Sequence, residues 1–399
     1  MIDEIKTVGV LGLGVMGFDI AFLYAEKGYR TLVFDASAAA MEKIAARCDQ
    51  TIERLQRRKR ITDGEAANVR NGMVPASTLS ELACTELTTE AVSESATVKK
   101  SVYRALAESG FNGILTTNTS SLCRSSLAGD AGQQRFATTH FFNPVLYTQM
   151  VEVVRGDMDG AKHSLLMAFL NDLGRRTVET KDISGFVSNS ILMVYAVMAL
   201  RLLEAGASIE TVDGAAKELR ALAPLFSFDS WKPSIVEDVT RVMYEFRGDE
   251  FLRSSKLLGA LAKSNPVFYR EQKPNEEIYP LVDQPGNNPD GAMAQLALIA
   301  SVRLAAARTV ELGEAPATVD FIATEGLKFP RPPLVEIDKI GAAAVLSDLQ
   351  KVNAALAHDG MKAPKLLQAM ADTGQKFYID GRANPWVADF LEGSGHARD

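Results

Sequence analysis

A histidine and a glutamate twelve residues apart are the side chains of this chain best suited to proton transfer. His140, one of only four histidines, begins the apolar run His140-Phe141-Phe142, and Glu152 follows it. A neutral imidazole can take a proton from a substrate hydroxyl, and a nearby carboxylate can orient the ring and stabilise the imidazolium. Alternatively, the histidine is a core residue and Glu152 an ion-pair partner on a surface strand. The pair therefore predicts an acid–base site only in a suitable context.

A glycine-rich motif near the N-terminus supplies that context. A short apolar run enters Gly12-Leu-Gly14-Val15-Met16-Gly17, and apolar residues then recur at helical spacing. Gly12 would allow a tight turn, Gly14 would let the backbone approach a pyrophosphate, and Gly17 would let the helix pack closely on the strand. The first N–H groups of the helix would face the phosphates. The motif predicts a dinucleotide site, although a glycine-rich turn in an unrelated α/β protein can look the same.

A carboxylate after the second apolar run indicates which dinucleotide is bound. Residues 31–34 are apolar or β-branched and end in Asp35, eighteen residues after Gly17, with no arginine at 36–38. A carboxylate there can accept hydrogen bonds from both ribose hydroxyls and repels a 2′-phosphate, so NAD is predicted rather than NADP. Asp19, in the first turn of the predicted helix, would repel a phosphate, and we expect it to point away.

The composition favours a soluble globular protein of two or three domains. The chain has 399 residues, of which 47% are hydrophobic and 23% charged. Its net charge of −7 argues against nucleic acid as a partner, and no apolar stretch reaches the roughly 18 residues of a membrane span. A strand begins almost at once, so we expect no targeting peptide and a cytoplasmic protein. The three cysteines lack metal-ligand spacing, which predicts reduced thiols and no metal.

The order of strand-like and helix-like segments predicts three domains. Residues 1–181 alternate between the two patterns, as in an α/β Rossmann domain with a mostly parallel sheet. Ser120 and His140 come at the carboxyl ends of such strands, where α/β proteins bind ligands. Long apolar-periodic helices follow, and we divide them into two helical repeats, 182–285 and 286–399. The fold class is thus an α/β Rossmann domain followed by a mostly α-helical region with an internal duplication.

The duplication is predicted from matched motifs in the C-terminal half. Glutamate-to-aspartate and leucine-to-aromatic pairs recur at an offset of 107 to 109 residues, with 287–291 as the linker between the copies. The matched positions are Glu204 and Asp213 with Glu311 and Asp320, and Leu257, Leu258, Phe268 and Tyr269 with Leu366, Leu367, Phe377 and Tyr378. Chance agreement of short pairs is the alternative. Two such units can bury each other's apolar faces, so we expect a monomer with an internal pseudo-dimer, or a homodimer.

One basic cluster stands out from the acidic average. Arg54, Arg57, Arg58, Lys59 and Arg60 lie within seven residues. The cluster is either a solvated helix face or a docking patch for an anionic carrier such as the phosphates of coenzyme A.

Five motifs in order give the chain a family resemblance. They are a GxGxMG loop at 12–17, EAVSE at 90–94, NTSSL at 118–122, HFFNP at 140–144 and DISGFVSN at 182–189. With them, the chain resembles the 3-hydroxyacyl-CoA dehydrogenase family over essentially its whole length. Its duplicated C-terminal region is similar to that of the longer bacterial members and of the dehydrogenase part of multifunctional β-oxidation proteins.

The resemblance implies NAD-dependent oxidation of an L-3-hydroxyacyl-CoA to a 3-ketoacyl-CoA, or the reverse. His140 would take the proton of the 3-hydroxyl, and Glu152 would hold the imidazole in the useful tautomer. Ser120 would hydrogen-bond the reacting oxygen, and Asn189 would position the substrate from the helical region. Asn189 could also be an ordinary first-turn residue, and Ser120 a helix cap.

The resemblance also implies further contacts. Glu94 and Lys99 match positions near the nicotinamide ribose, and Asn118 joins the cofactor site unless it caps the following helix. Asn143 would contact substrate. Arg57 and Lys59 of the basic cluster are the candidates for binding the anionic carrier.

Several departures from the family pattern leave the substrate open. Ser184 stands where proline is usual, and Ser190 where arginine is usual; 146–148 and 222–231 also differ. These segments lie near where an acyl chain would be held. The substrate could therefore be an unusual acyl-CoA, a carrier-protein thioester or another β-hydroxy acid. A non-catalytic NAD-binding module is a third hypothesis.

Overall fold

The computed structural model describes residues 4–282, 288–356 and 361–393. The chain divides into two compact units, Met1–Asp182 and Ile183–Asp399. The predicted boundary between the helical repeats at 285/286, and Asn287 of the predicted linker, lie outside the described residues.

The first unit is built on one eight-stranded sheet. Its strands lie in the order β3-β2-β1-β4-β5-β6-β7-β8. They are β1 (Thr7–Leu11), β2 (Arg30–Phe34), β3 (Met73–Pro75), β4 (Leu87–Glu90), β5 (Ile114–Thr117), β6 (Phe136–Phe141), β7 (Met150–Val154) and β8 (Arg176–Glu179). Strands β1 to β6 are parallel in the Rossmann order, and β7 runs antiparallel to β6. The order reverses between β1 and β4, which opens the ligand crevice of such sheets at their carboxyl ends.

Helices connect these strands and cover the sheet. They are α1 (Val15–Glu26), α2 (Ala38–Glu42), α3 (Ile44–Arg57), α4 (Asp63–Gly72), α5 (Ala96–Glu108), α6 (Arg124–Ala131) and α7 (Gly160–Asp172), with 3₁₀ turns at Leu79–Cys84 and Gln133–Arg135. Every residue of β4, β5, β6 and β7 is buried, as expected of central strands covered on both faces. The predicted mostly parallel α/β domain is confirmed.

The second unit is helical and has the same elements twice. The first set is α8 (Ser188–Glu204), α9 (Ile209–Glu218), α10 (Pro224–Trp231), α11 (Pro233–Arg247), α12 (Lys256–Ser264), the hairpin β9 (Tyr269–Arg270) and β10 (Lys273–Pro274), and 3₁₀ turns at Glu250–Leu252 and Glu276–Leu281. The second is α13 (Gly291–Glu311), α14 (Pro316–Phe321) with a π-helical turn at Ile322–Gly326, α15 (Pro333–Ile340), α16 (Ala342–Ala355), α17 (Lys365–Thr373), the hairpin β11 (Tyr378–Ile379) and β12 (Arg382–Ala383), and α18 (Pro385–Gly393). The two long helices, α8 and α13, pack against each other.

A buried aspartate organises the first copy. The Asp213 carboxylate accepts hydrogen bonds from the amides of Leu225 and Phe226 at the start of α10, both at 2.9 Å. The hydroxyl of Tyr269, in the hairpin, donates to the same carboxylate at 2.8 Å. One side chain therefore caps a helix and ties it to the hairpin.

Asp320 makes the same three contacts in the second copy. Its carboxylate accepts from the amides of Leu334 (2.8 Å) and Val335 (3.3 Å) at the start of α15 and from the Tyr378 hydroxyl (2.9 Å). A second aspartate in each copy accepts from the two amides that begin the hairpin: Asp229 from Phe268 and Tyr269, and Asp338 from Phe377 and Tyr378. The predicted internal duplication is therefore a repeated hydrogen-bond network, which chance matching does not explain.

Helix α13 is the one described helix long and apolar enough to cross a membrane by length and composition. Two thirds of its most apolar window, 67%, is buried inside the second unit. This pattern is also that of a core helix, which is how α13 packs here.

We predict that Asp320→Ala destabilises the second copy. Burial raises the pKa of Asp320, although the hydrogen bonds from Leu334, Tyr378 and Val335 partly lower it. Removing the carboxylate leaves those donors without their acceptor, a loss of roughly 1.5–3 kcal/mol for bonds to a charged group. Hydrogen exchange at the Leu334 amide should accelerate by about tenfold or more. The exposed Asp389→Ala is the control, and equal exchange in both variants would contradict the prediction.

Candidate active site

The glycine motif forms an open loop between β1 and α1. Gly12 has a φ of +87°, and a Cβ there would lie 2.7 Å from the backbone of Ala91. A Cβ on Gly17 would lie 1.8 Å from the carbonyl oxygen of Gly12, whereas one on Gly14 would meet no atom within 4 Å. No side chain in the described part of the chain caps α1 at Gly14, and Val15 is 65% exposed. The loop thus presents helix N–H groups on an open face that suits a pyrophosphate.

Asp35 lies beside this loop at the end of β2. Its Oδ2 accepts from the Leu13 amide at 2.7 Å, and its Oδ1 accepts from the Ser37 amide at 2.8 Å. The carboxylate is only partly buried. It is therefore tied to the glycine loop, and its contact with the ribose stays a prediction.

An arginine that the sequence motifs did not indicate also holds the loop. Arg47, on α3, donates to the carbonyl oxygens of Leu13 (2.7 Å) and Gly14 (3.2 Å), and its guanidinium lies 3.9 Å from the Phe18 ring centroid. Burial raises the pKa of Asp19, while Arg54 and Arg47 lower it. The bulky Phe18, unusual in a first helical turn, was the only local signal of this contact.

His140 and Glu152 face each other across the antiparallel pair β6 and β7. They are directly opposed in register, and His140 Nδ1 lies 2.9 Å from Glu152 Oε2. His140 is 8% exposed and Glu152 is fully buried, so the interpretation of Glu152 as a surface residue is wrong. Because a carboxylate accepts, Nδ1 is the donor in this contact. His140 is the penultimate residue of β6 rather than a residue after its end.

Glu94 fixes the backbone of the loop that contains Ser120. Its Oε1 accepts from the Thr119 hydroxyl (2.6 Å), the amides of Ser120 (2.7 Å) and Ser121 (2.9 Å), and the Ser121 hydroxyl (2.9 Å). Burial alone would raise the pKa of Glu94, but Lys99 and these donors lower it below its usual value. The structure thus places Glu94 as the anchor of 119–121.

Lys99 lies fully buried behind Glu94. Its Nζ donates to Glu90 Oε1 at 2.8 Å and lies 3.6 Å from Glu94 Oε2. Burial alone would lower the Lys99 pKa, but the two carboxylates raise it. Tyr103 donates to the other oxygen of Glu90 at 2.5 Å. Lys99 therefore supports the loop from the interior, and its contact with the cofactor stays a prediction.

Asn118 links β5 to the strand that carries His140. Its Oδ1 accepts from the Phe141 amide at 2.9 Å, and the residue is 8% exposed. The first amides of α6, at Arg124 and Ser125, instead donate to the Asp182 carboxylate at 2.6 and 2.8 Å. The cap of that helix therefore comes from Asp182 rather than from Asn118 or Ser120.

The basic cluster meets the segment that follows the HFFNP motif. The guanidinium of Arg60 lies 4.7 Å, and that of Arg58 5.7 Å, from the Tyr147 ring centroid. Arg57 is the last residue of α3, and Lys59 beyond it is exposed. Asn143, in the same segment as Tyr147, is exposed. The structure therefore brings the cluster and the segment after His140 together within the first unit.

Two models of known protein families match the chain. The model of the 3-hydroxyacyl-CoA dehydrogenase NAD-binding domain matches residues 7–183, and the model of the C-terminal domain matches 185–274. Mitochondrial hydroxyacyl-coenzyme A dehydrogenase of Rattus norvegicus is 33% identical over 235 residues, which are 56% of this chain and 74% of that protein. The chain belongs to the 3-hydroxyacyl-CoA dehydrogenase family.

Two further comparisons extend this assignment. The 3-hydroxybutyryl-CoA dehydrogenase of Mycobacterium tuberculosis is 34% identical over 221 residues, 54% of this chain and 77% of that protein. The crystal structure of 3-hydroxybutyryl-CoA dehydrogenase from Escherichia coli K12 has a TM-score of 0.76 over 92% of this chain and 98% of that one, at 21% identity, and so shares the fold. The family resemblance and the NAD cofactor predicted from sequence are confirmed: this dehydrogenase is an NAD-dependent oxidoreductase.

Asn189 lies in the second unit, as do the departures Ser184, Ser190 and 222–231, whereas 146–148 lies in the first. Asn189 is in the first turn of α8 and is 8% exposed. Arg247, from α11, donates to the Ser190 hydroxyl at 2.6 Å and to the carbonyl of Ser184, and the Ser190 hydroxyl donates to the carbonyl of Phe186. In this dehydrogenase a guanidinium from a different helix thus contacts both substituted serines.

Among the described residues, no group of three or more His, Cys, Asp or Glu side chains could hold a metal ion.

We predict that Glu94→Gln destabilises the fold at neutral pH and changes its acid sensitivity. A carboxylate whose pKa is lowered in the folded state stabilises the fold above its unfolded pKa and loses that effect as pH falls through the folded value. The stability gap from wild type should be about 1–3 kcal/mol at pH 7 and should shrink below pH 4.5. Denaturant unfolding of both proteins at pH 7 and below pH 4.5 measures this difference in stability. Glu108→Gln, at the exposed last residue of the following helix α5, is the control, and a pH-independent gap would contradict the prediction.

Proposed function

We propose that this dehydrogenase interconverts L-3-hydroxyacyl-CoA and 3-ketoacyl-CoA, with His140 and Glu152 as its acid–base pair. The observation that supports this most directly is the 2.9 Å contact of His140 Nδ1 with the buried Glu152 carboxylate. NAD, when bound, supplies the hydride acceptor.

The pair can carry out the proton transfer that hydride removal requires. Nδ1–H donates to Glu152, and in the neutral tautomer that this contact favours Nε2 would act as the base for the proton of the 3-hydroxyl. The buried carboxylate then stabilises the imidazolium that forms. In the reverse direction the same Nε2 returns the proton to the 3-keto oxygen.

The residues present fit a dinucleotide. Gly12, Gly14 and Gly17, with Val15 and Met16 between them, leave an open loop at a helix N-terminus for the pyrophosphate. Asp35 stands beside it and would accept from the adenosine ribose hydroxyls, which also disfavours a 2′-phosphate.

Ser120, Asn143 and Asn189 complete the proposal on the substrate side. The Glu94 anchor holds Ser120 in a fixed backbone position, from which it would hydrogen-bond the reacting oxygen. Asn143, just beyond β6, would contact the substrate. Asn189, from the second unit, would position the substrate.

The relatives and the basic cluster support an acyl-CoA substrate. The two curated relatives described above are named for hydroxyacyl- and 3-hydroxybutyryl-CoA substrates. Arg57 and Lys59 would meet the phosphates of coenzyme A, since exposed cations attract such groups. Arg58 and Arg60, packed over Tyr147, direct the cluster toward the segment after His140.

We predict that His140→Gln lowers turnover by about 10²–10⁴-fold, the contribution typical of a positioned acid or base. Oxidation of NADH by acetoacetyl-CoA, followed by absorbance, measures it, and NADH affinity should change little because the glycine loop is intact. His163→Gln, on α7 in the same unit, is the control and should keep wild-type turnover. Activity of His140→Gln within a few-fold of wild type would rule out the proposed base.

We predict that two Asp35 variants distinguish its proposed contact with the ribose from its contact with the glycine loop. Asp35→Asn keeps an oxygen that can accept from the Leu13 amide but removes the charge, so the preference for NADH over NADPH should narrow by about tenfold or more. Asp35→Ala also loses the loop contact and should bind both cofactors more weakly. The KM values of NADH and NADPH measure this. An unchanged preference in both variants would show that Asp35 does not contact the ribose.

A further inference from the structure

A cavity of about 550 Å³ lies between the two helical repeats of the second unit. Its apolar wall comes from both copies: Tyr195 on α8, Leu298, Ile299 and Val302 on α13, and Phe329 after the π-helical turn. The Tyr195 and Phe329 rings meet edge to face at 5.2 Å. This volume falls within the range of small-molecule sites, roughly 300–1,000 Å³.

The Tyr195 hydroxyl is already hydrogen-bonded within the protein. It donates to the carbonyl oxygen of Leu222 at 2.7 Å. The ring therefore contributes apolar surface to the cavity.

Arg303 adds a charge beside this apolar wall, and the cavity is also lined by Glu218, Arg220, Arg331 and Glu336. Arg303 lies on α13 next to Val302, lines the cavity and is only partly exposed. Its buried Nε has no hydrogen-bond partner, and within the described ranges no carboxylate lies within 4.0 Å of the guanidinium. Burial lowers the Arg303 pKa, while Glu336 and Asp348 raise it. A guanidinium nevertheless stays charged in proteins.

The carboxylates around Arg303 are engaged by other cations. Glu336 accepts from Lys339 at 2.8 Å and from Arg331 at 3.3 Å. Asp348 pairs with Lys351 at 3.1 Å. The positive charge of Arg303 is thus not matched by a short ion pair in the part of the chain that the structure describes.

The duplication provides an internal comparison for this position. Glu204 and Glu311, which end α8 and α13, are 107 residues apart, so the counterpart of Arg303 in the first copy is Ala196. Ala196 is fully buried. The helix therefore forms with an alanine at this site, and the fold alone does not require the arginine.

We propose that this cavity binds an aliphatic carboxylate, with the hydrocarbon chain on the Tyr195–Phe329 wall and the carboxylate on Arg303. A partly buried charge without a partner is unfavourable, and an anion that hydrogen-bonds it relieves that penalty. A planar guanidinium can bind a carboxylate through two parallel hydrogen bonds. The carboxylate is that of a free aliphatic acid.

A binding experiment on the full chain with NAD tests the site without relying on catalysis. The probes are 8,8,8-trifluorooctanoate and the uncharged 8,8,8-trifluorooctan-1-ol, each titrated and followed by ¹⁹F NMR. The carboxylate should bind at least tenfold more tightly than the alcohol. Arg303→Met should remove that difference, and Arg303→Lys should retain part of it. Ile299→Trp, which fills the cavity, should weaken both probes. Arg382→Met, an exposed arginine on β12, is the control and should change neither.

Two results would overturn the proposal. One is equal affinity of the wild-type protein for the carboxylate and the alcohol. The other is carboxylate binding that survives in both Arg303→Met and Ile299→Trp. An inactive protein that still binds the carboxylate through Arg303 would contradict the proposed function and leave the cavity assignment intact.

Discussion

The buried ion pair of Lys99 with Glu90 is the interaction on which the candidate site depends. Two charges in the interior are unfavourable unless each is fully hydrogen-bonded. Glu90 meets this condition through Lys99, Tyr103, Thr117 and the Val92 amide. Because Lys99 also lies 3.6 Å from Glu94, its charge stabilises the carboxylate nearest the surface of the network.

The carboxylate of Glu94 connects this buried network to the loop that contains Ser120. Glu94 Oε1 accepts from three consecutive residues, 119–121, so the backbone around Ser120 has little freedom. Asn118, at the start of the same loop, holds the Phe141 amide and therefore the end of β6. The antiparallel register of β6 and β7 then sets His140 against Glu152. The position of the acid–base pair thus follows from sheet register and from charges buried beneath it.

Most of the first unit was predictable because its signals are local. The glycine spacing at 12–17 and the position of Asp35 follow from the geometry of one strand, one turn and one helix. The spacing of twelve positions from His140 to Glu152 indicated a pair. The antiparallel direction of β7, which places the two residues opposite each other, was not evident from a pattern that predicted mostly parallel strands. The resemblance supplied the family, which the comparisons confirm.

Contacts between residues distant in sequence were not predictable in the same way. The residues next to Arg47 in the sequence do not indicate that it holds the carbonyls of Leu13 and Gly14, and the bulky Phe18 was the only signal of this contact. The cap of α6 comes from Asp182, which is 57 and 58 residues from the amides it accepts. The lysine of the EAVSE region, Lys99, could be matched to a family position, but only the folded chain shows that it is buried.

The duplicated region shows how one scaffold can hold two different sets of side chains. Asp213 and Asp320 make equivalent contacts in the two copies, because each caps a helix and holds a hairpin that the fold requires. Positions outside that network are free to diverge, as Ala196 and Arg303 have done. A divergent charge on a buried helix face is unfavourable for folding, so its presence is best explained by a ligand that folding alone does not involve. Comparison of the two copies thus distinguishes residues that stabilise the repeated fold, such as Asp213 and Asp320, from residues such as Arg303 that the fold does not require.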